Sequence, residues 1–498
     1  MKRFLLNLIW IIPMTLIMQS FNSYHPVEKD GYRIEMDIKG FQEPFLILAH
    51  HYADKQYIQD TVFINRGGKY VFEGKEKLKG GMYMIVMPPK NNSIDILIDT
   101  KEQHFSFKAD LSDLVGKMEF KGSKTNSLFY KYLGYLNDQR SKSNKLSTDL
   151  KTAQTAKDQA KVAAIKKQLT DLSKKVTQYQ KDLVKNNPDN FTAKFIKTSM
   201  DIVIPKEIDS TKQYAYYRAH YFDNLDLSDG RLMRTPLLHN KVDRYLDKVI
   251  SQHPDSVIHG VDEIFSRASK DEDIMKFFLI RLINKYAKTK IVCMDAVYVH
   301  IADNYYLKGK AAWVDEKQLA KIKEDADRLR PLLCNQIAPD LTMQTLPTKD
   351  GEKPKKATLH GVDAKYTVLI FWASDCGHCK KSLPKVAKFY DEYKNKGVEV
   401  FSICTKTYKD YQSCLDFVKE KDLGRMMNVA DPYLRSKFPV IYDIKSTPVI
   451  FLLDKNKKII AKKLAAEQLG EVIDNWDKQY EFLKKKENEK KNKKKSGK

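Results

Sequence analysis

At 498 residues, 42% hydrophobic and 11% aromatic, the chain has the length for about three packed domains and the apolar content to fill their cores. Its formal charge of +24 invites a nucleic-acid reading, but nine lysines against two glutamates sit in the tail Lys484–Lys498, and no stretch matches a nucleic-acid-binding fold. Solvated lysine faces and a disordered basic tail over 483–498 account for the charge, which excludes nucleic acid as a partner and leaves weak attraction of the tail to anionic membrane surfaces as the alternative.

Met1-Lys-Arg3 followed by the apolar run Phe4–Met18 has the charged and hydrophobic regions of a secretory signal, expected over 1–23. Pro13 interrupts the run, which at about fifteen residues is short for a spanning helix. Gln19–Ser23 lacks a clean small-x-small cleavage pair, so an uncleaved N-terminal membrane anchor stays open beside cleavage. Either way the protein is expected to be exported to the periplasm or cell envelope, where disulfides persist.

Residues 30–125 alternate apolar and polar positions in short runs such as Tyr32–Ile38, Thr61–Ile64, Met82–Val86 and Ile94–Ile98, punctuated by Gly67-Gly68, Gly80-Gly81 and Pro88-Pro89. That spacing predicts a small antiparallel β-sandwich. His50 and His51 are adjacent and point to opposite faces of a strand, so they make no metal pair.

From Asn126 the pattern turns helical, and residues 126–187 are expected to form a helical hairpin or coiled coil. Val162, Ile165, Leu169, Leu172, Val176, Tyr179 and Leu183 recur in steps of three and four, with lysine-rich flanks. Three heptads are marginal for a dimer and the helix Ser127–Leu146 is available as a partner, which favours an intramolecular hairpin. A helical domain follows over 188–333, with period-3.6 faces in Val242–Ile250, Ile274–Tyr286, Ala296–Tyr306 and Leu319–Leu332. Its cluster Tyr214, Tyr216, Tyr217, Tyr221 and Phe222 is expected mainly in the core, and Asp226–Gly230 reads as a turn because its spacing fails the calcium-loop pattern.

The last domain, 334–482, carries the chemistry. Thr367–Trp372 is a continuous apolar and β-branched run, as in a strand buried on both faces. It breaks at Ala373-Ser-Asp375, and a helix pattern begins near Cys376 and continues through Cys379, Leu383 and Val386. Cys376 is thereby placed at a helix N-terminus, where free N–H groups and the helix dipole favour a thiolate. Cysteines in such motifs fall from about 8.5 to roughly 3.5–7.5. Cys379, one turn on, is positioned to close a disulfide with it. A zinc reading needs a second close Cys/His pair, which Cys293, Cys334, Cys404 and Cys414 do not supply, so neither metal nor another cofactor is expected.

Phe371-Trp-Ala373, Cys376-Gly-His-Cys379, the helix proline Pro384 and Thr447-Pro448 together resemble the active site of the thioredoxin superfamily. Ile337-Ala-Pro-Asp340 with Leu359-His-Gly361 resembles exported redoxins of the TlpA and ResA kind. The preceding β and helical segments look like the domains of unknown function that accompany such redoxins in Bacteroidetes-type proteins. The resemblance implies an α/β fold of order β-α-β-α-β-β-α, its last two strands a hairpin turned at Asp454–Lys457. It also implies a thiol–disulfide oxidoreductase whose catalytic pair is Cys376 and Cys379, supported by Trp372, His378, Thr447 and a cis Pro448. The partners implied are proteins or peptides with disulfides or dithiols, and an upstream membrane electron donor or acceptor.

Two positions depart from the family pattern. Ile370 stands where thioredoxins often carry a buried Asp, and Ser382 where ResA-like proteins often carry a Glu, so a carboxylate-assisted resolving step is in doubt. His378 favours the Cys376 thiolate and Asp375 opposes it, and the sequence leaves their balance, and hence the redox direction, open. Whether Cys404 and Cys414, or Cys293 and Cys334, pair is equally open. A second functional class remains: an envelope binding or scaffolding protein that uses the thioredoxin domain as a dock.

Overall fold

The structure is a computed structural model that describes residues 31–347 and 352–478, with residue 481. The expected signal over 1–23 and the expected basic tail over 483–498 lie outside those residues. The chain divides into two units between Lys197 and Thr198.

The first unit contains strands β1 (Tyr32–Lys39), β2 (Phe45–Tyr52), β3 (Lys55–Phe63), β4 (Tyr70–Gly74), β5 (Gly81–Met87), β6 (Asn92–Ile98), β7 (His104–Asp110) and β8 (Glu119–Lys121). They form two four-stranded sheets of order β4-β1-β7-β8 and β3-β2-β5-β6. The alternation read from the sequence puts Ile34, Met36 and Ile38 of β1 in the core. One pairing departs from the antiparallel expectation: β1 and β7 run parallel, with Ile34 opposite Phe105. Alternation reports which face a residue takes and carries no information on the direction of a partner about seventy residues away.

Helices α1 (Lys124–Thr155) and α2 (Gln159–Asn186) form the hairpin. Tyr132 near the start of α1 packs with Leu183 near the end of α2, and Ala153 packs with Val162 and Ile165 at the closed end. The apolar seam of α2 is thus used within the chain, and α1 runs about two turns beyond the expected Leu146. Ser123 caps α1 through the Asn126 N–H. Asn126, fully buried, accepts from the Leu97 N–H and donates to the Leu97 carbonyl, both at 2.8 Å, which completes the outer edge of β6. Helix α3 (Phe191–Ser199) reaches the unit boundary.

The second unit begins with helices α4 (Gln213–His220), α5 (Leu237–Arg244), α6 (Pro254–Ala268), α7 (Glu272–Ala287), α8 (Asp295–Ile301) and α9 (Glu316–Leu329). Helix α6 has no counterpart among the expected periodic segments, because its central Gly260 weakens a helix pattern. That glycine sits in a tight spot, since a Cβ there would lie 2.8 Å from Ile250 Cδ1 and that side chain would have to shift. Tyr221 and Phe222 are buried against Tyr245, while Tyr214 is half-exposed and donates to the Val249 carbonyl at 2.7 Å. Asp226 accepts from the Ser228 N–H, and Asp229 caps the next turn through the Arg231 N–H, so this stretch is the expected turn. Among the described residues no group of His, Cys, Asp and Glu is arranged to hold a metal ion.

The redox fold is a seven-stranded mixed sheet, order β10-β9-β13-β12-β11-β14-β15. Its strands are β9 (Thr342–Thr345), β10 (Lys356–Thr358), β11 (Tyr366–Trp372), β12 (Val398–Cys404), β13 (Met427–Ala430), β14 (Val449–Asp454) and β15 (Ile459–Lys462). Helices α10 (Gly377–Tyr393), α11 (Tyr411–Glu420), α12 (Phe438–Ile441) and a final helix over 469–478 complete it. The expected order lacked β9, β10 and β13, runs of three or four residues that are too short to show a period. Asp454 organises the β14–β15 turn as expected, accepting from the Asn456 and Lys458 N–H groups at 2.8 Å.

The helical part and the redox fold are tied together. Cys293 and Cys334 form a disulfide, and the buried Lys462 ammonium meets the Asp295 carboxylate and the Leu332 carbonyl. Cys404 and Cys414 form a second disulfide, fully buried behind the C-terminal ends of β11 and β12. Both pairings left open by the sequence are therefore made.

Candidate active site

Strand β11 is buried at every position, and its parallel neighbour β12 and antiparallel neighbour β14 fix where it ends. Parallel strands release their loops at one edge of a sheet, so the segments after Trp372, after Cys404 and after Ala430 emerge together, beside the segment entering β14. The loop after β11 is braced from behind. Thr405 donates from both its N–H and its hydroxyl to the Trp372 carbonyl, at 2.7 and 3.0 Å, and Ser374 Oγ lies 2.7 Å from Ser413 Oγ. Trp372 itself is fully buried, its indole N–H donating to Ser402 Oγ at 2.8 Å, so it acts as a packed anchor beneath the loop.

Cys376 is the N-cap of α10, and its sulfur accepts the Cys379 N–H at 3.3 Å. Partial burial opposes ionisation of this thiol, but the Cys379 thiol, Thr447 and the backbone N–H groups of Cys379 and His378 outweigh it, and the Cys376 pKa falls below the ordinary cysteine value. Burial, helped by the neighbouring sulfur, outweighs the opposing hydrogen bonds from Thr447 and the Ala373 backbone at Cys379 and pushes its pKa up to about 11. The two sulfurs are therefore unlike: one half-exposed and acidic, the other buried and protonated at neutral pH.

The Thr447–Pro448 peptide bond is cis, and the Thr447 carbonyl lies 3.2 Å from Cys376 Sγ. His378 contributes its backbone N–H, while its side chain is exposed. Asp375 does not act on the sulfur as a free charge, because the Lys406 ammonium 2.6 Å away pairs with it and holds its carboxyl below the usual range. Lys406 was not singled out from the sequence, and no spacing rule links it to a residue thirty-one positions earlier. Ile370 is buried in β11 and Ser382 lies on α10, so neither position places a carboxylate by Cys379.

These features define a thioredoxin-like dithiol site. Residues 335–479 match the Redoxin family, residues 32–129 a domain of unknown function (DUF4369) and residues 151–330 another (DUF5106). The thiol-disulfide oxidoreductase ResA of Bacillus thuringiensis subsp. konkukian is 30% identical over 132 residues, 24% of this chain and 67% of that protein. The sporulation thiol-disulfide oxidoreductase A of Bacillus subtilis is 28% identical over 33% of this chain and 90% of that protein. A domain of a possible thiol-disulfide isomerase from Cytophaga hutchinsonii is 34% identical, covering 30% of this chain and 98% of that structure, with a TM-score of 0.28. The chain belongs to the thioredoxin-like thiol-disulfide oxidoreductases of the redoxin family, with additional N-terminal β-rich and helical regions.

Proposed function

We propose that Cys376 and Cys379 of the Cys-Gly-His-Cys motif exchange disulfides with protein or peptide substrates in the cell envelope. The observation that carries this reading is the inequality of the two sulfurs on one helix turn. Thiolate Cys376 attacks a substrate disulfide, forming a mixed disulfide and releasing one substrate sulfur, which takes up a proton. Cys379 then loses its proton and attacks Cys376 Sγ. The second substrate sulfur leaves as a thiol, and Cys376–Cys379 is left oxidised with two electrons transferred. The cis Thr447–Pro448 segment, its carbonyl facing the sulfur, supplies an edge for an extended substrate backbone. An electron donor is required to return the pair to the dithiol.

The two further disulfides support an oxidising compartment, as export to the envelope would provide. No helix among the described residues is long and apolar enough to cross a membrane. Reduction of insulin disulfides with dithiothreitol as donor tests the reading. Cys376→Ser is expected to fall to the uncatalysed rate, and unchanged turnover in that variant would remove the proposal.

A further inference from the structure

A cleft of about 690 Å³ opens between the helical part of the second unit and the redox fold, and Pro448 lines it. Pro448 follows the residue whose carbonyl touches Cys376 Sγ, so the cleft continues the edge along which a substrate backbone would lie. The opposite wall is not part of the redox fold. It comes from α8 and α9, through Tyr298, Lys321 and Arg328.

The cleft has a charge. Lys321, Arg328, Lys445 and Lys463 line it, against two carboxylates, Asp325 and Asp443. Each carboxylate is already shared between two cations, Asp325 between Lys321 and Arg328, and Asp443 between Arg328 at 2.9 Å and Lys445 at 3.5 Å. Lys321 and Arg328 also pair with Glu324, so the surplus charge rests on Lys445 and Lys463. Lys463 is exposed and has no ion-pair or hydrogen-bond partner among the described residues. Tyr298 is 5% exposed overall, and its hydroxyl makes no hydrogen bond to the described residues. A donor and surplus positive charge therefore face the space beside the cis-proline segment, held in place by the Cys293–Cys334 disulfide and the Arg328–Asp443 pair.

We propose that this cleft is a specificity subsite that takes an acidic polypeptide segment flanking the reactive disulfide of the substrate. Lys445 and Lys463 of the redox fold then supply the charge preference, and the helical part supplies the opposite wall of the cleft. The inference rests on the exchange reading for where the cleft lies, but its charge preference is measurable without exchange. A cysteine-free, fluorescein-labelled peptide rich in Asp and Glu is titrated with the full-length protein, and binding is read by anisotropy. Its affinity is expected to drop about tenfold in Lys445→Glu/Lys463→Glu, as two surface charge pairs imply. Lys166→Glu/Lys167→Glu on α2 changes the net charge equally and is expected to leave affinity unaltered. Equal losses in both variants, or no loss in the first, would overturn the subsite. A charge-dependent affinity in a protein that fails to reduce insulin would sink the exchange reading and leave the subsite standing.

Discussion

Cys379→Ser is expected to convert turnover into a trap: incubated with a disulfide substrate, the variant accumulates a stable mixed disulfide through Cys376, seen as a mass adduct on the peptide that contains it. Cys376 retains its helix cap from the residue 379 N–H, so attack survives. What is lost is the buried thiol that releases the substrate, the only other free cysteine among the described residues. The doubly substituted Cys376→Ser/Cys379→Ser protein is expected to form no adduct, since its remaining cysteines are paired. In the proposed cycle, release in the unsubstituted protein requires deprotonating Cys379, whose pKa burial raises above the ordinary cysteine value with no carboxylate at position 370 or 382 to help. The thiolate fraction below the raised pKa rises about tenfold per pH unit. Release measured in single turnover is therefore expected to accelerate with pH from 7 to 10. A flat profile would show that another group accepts the proton.

The second large effect is on stability, at the junction of the helical part with the redox fold. Lys462 is 4% exposed, and its ammonium is matched by the Asp295 carboxylate and a single carbonyl, that of Leu332. Asp295→Ala leaves this cation buried and nearly unpaired, a change that costs about 3–5 kcal/mol. The loss is expected as a lowered urea midpoint followed by tryptophan fluorescence, because Trp313, Trp372 and Trp476, the tryptophans among the described residues, all lie in the second unit. Burial lowers the Lys462 pKa in the folded state, against the partial opposition of Asp295. Between the lowered folded value and the ordinary lysine value of 10.5 the unfolded chain binds more protons than the folded one, so stability gains with rising pH. Loss of Asp295 removes the group that opposes this lowering, so the deficit of Asp295→Ala is expected to narrow as pH rises through the lowered Lys462 pKa. Asp295→Leu/Lys462→Met, which removes both charges, is expected to recover most of it.

What the sequence disclosed follows from how local each signal is. Thr367–Trp372 reads as a buried strand because every side chain is apolar or β-branched, and Cys376 and Cys379 read as a redox pair because their spacing is one helix turn. The α2 seam was legible for the same reason, a period sustained over three heptads. Short strands and partners distant in sequence were not. Met427–Ala430 is four residues long, and the parallel register of β1 on β7 depends on chain path. The Lys406–Asp375 pair and the cleft between α9 and the cis-proline segment join residues from separate elements. The two structural disulfides lay between these cases: their cysteines were visible, but pairing needs the Cα separations of 5.6 and 6.3 Å that only the fold provides.

The central claim is that Cys376 and Cys379 form one two-electron couple distinct from the other cysteines. Equilibration of the protein with glutathione buffers, followed by acid quench, differential alkylation and peptide mass mapping, measures it directly. A single two-electron transition is expected in which Cys376 and Cys379 change together, at a potential between about −270 and −120 mV, its value reporting a reductase or an oxidase–isomerase. Cys404–Cys414, whose sulfurs are fully buried, stays oxidised throughout. Failure of Cys376 and Cys379 to bond to each other, or exchange beginning at Cys404–Cys414, would contradict it.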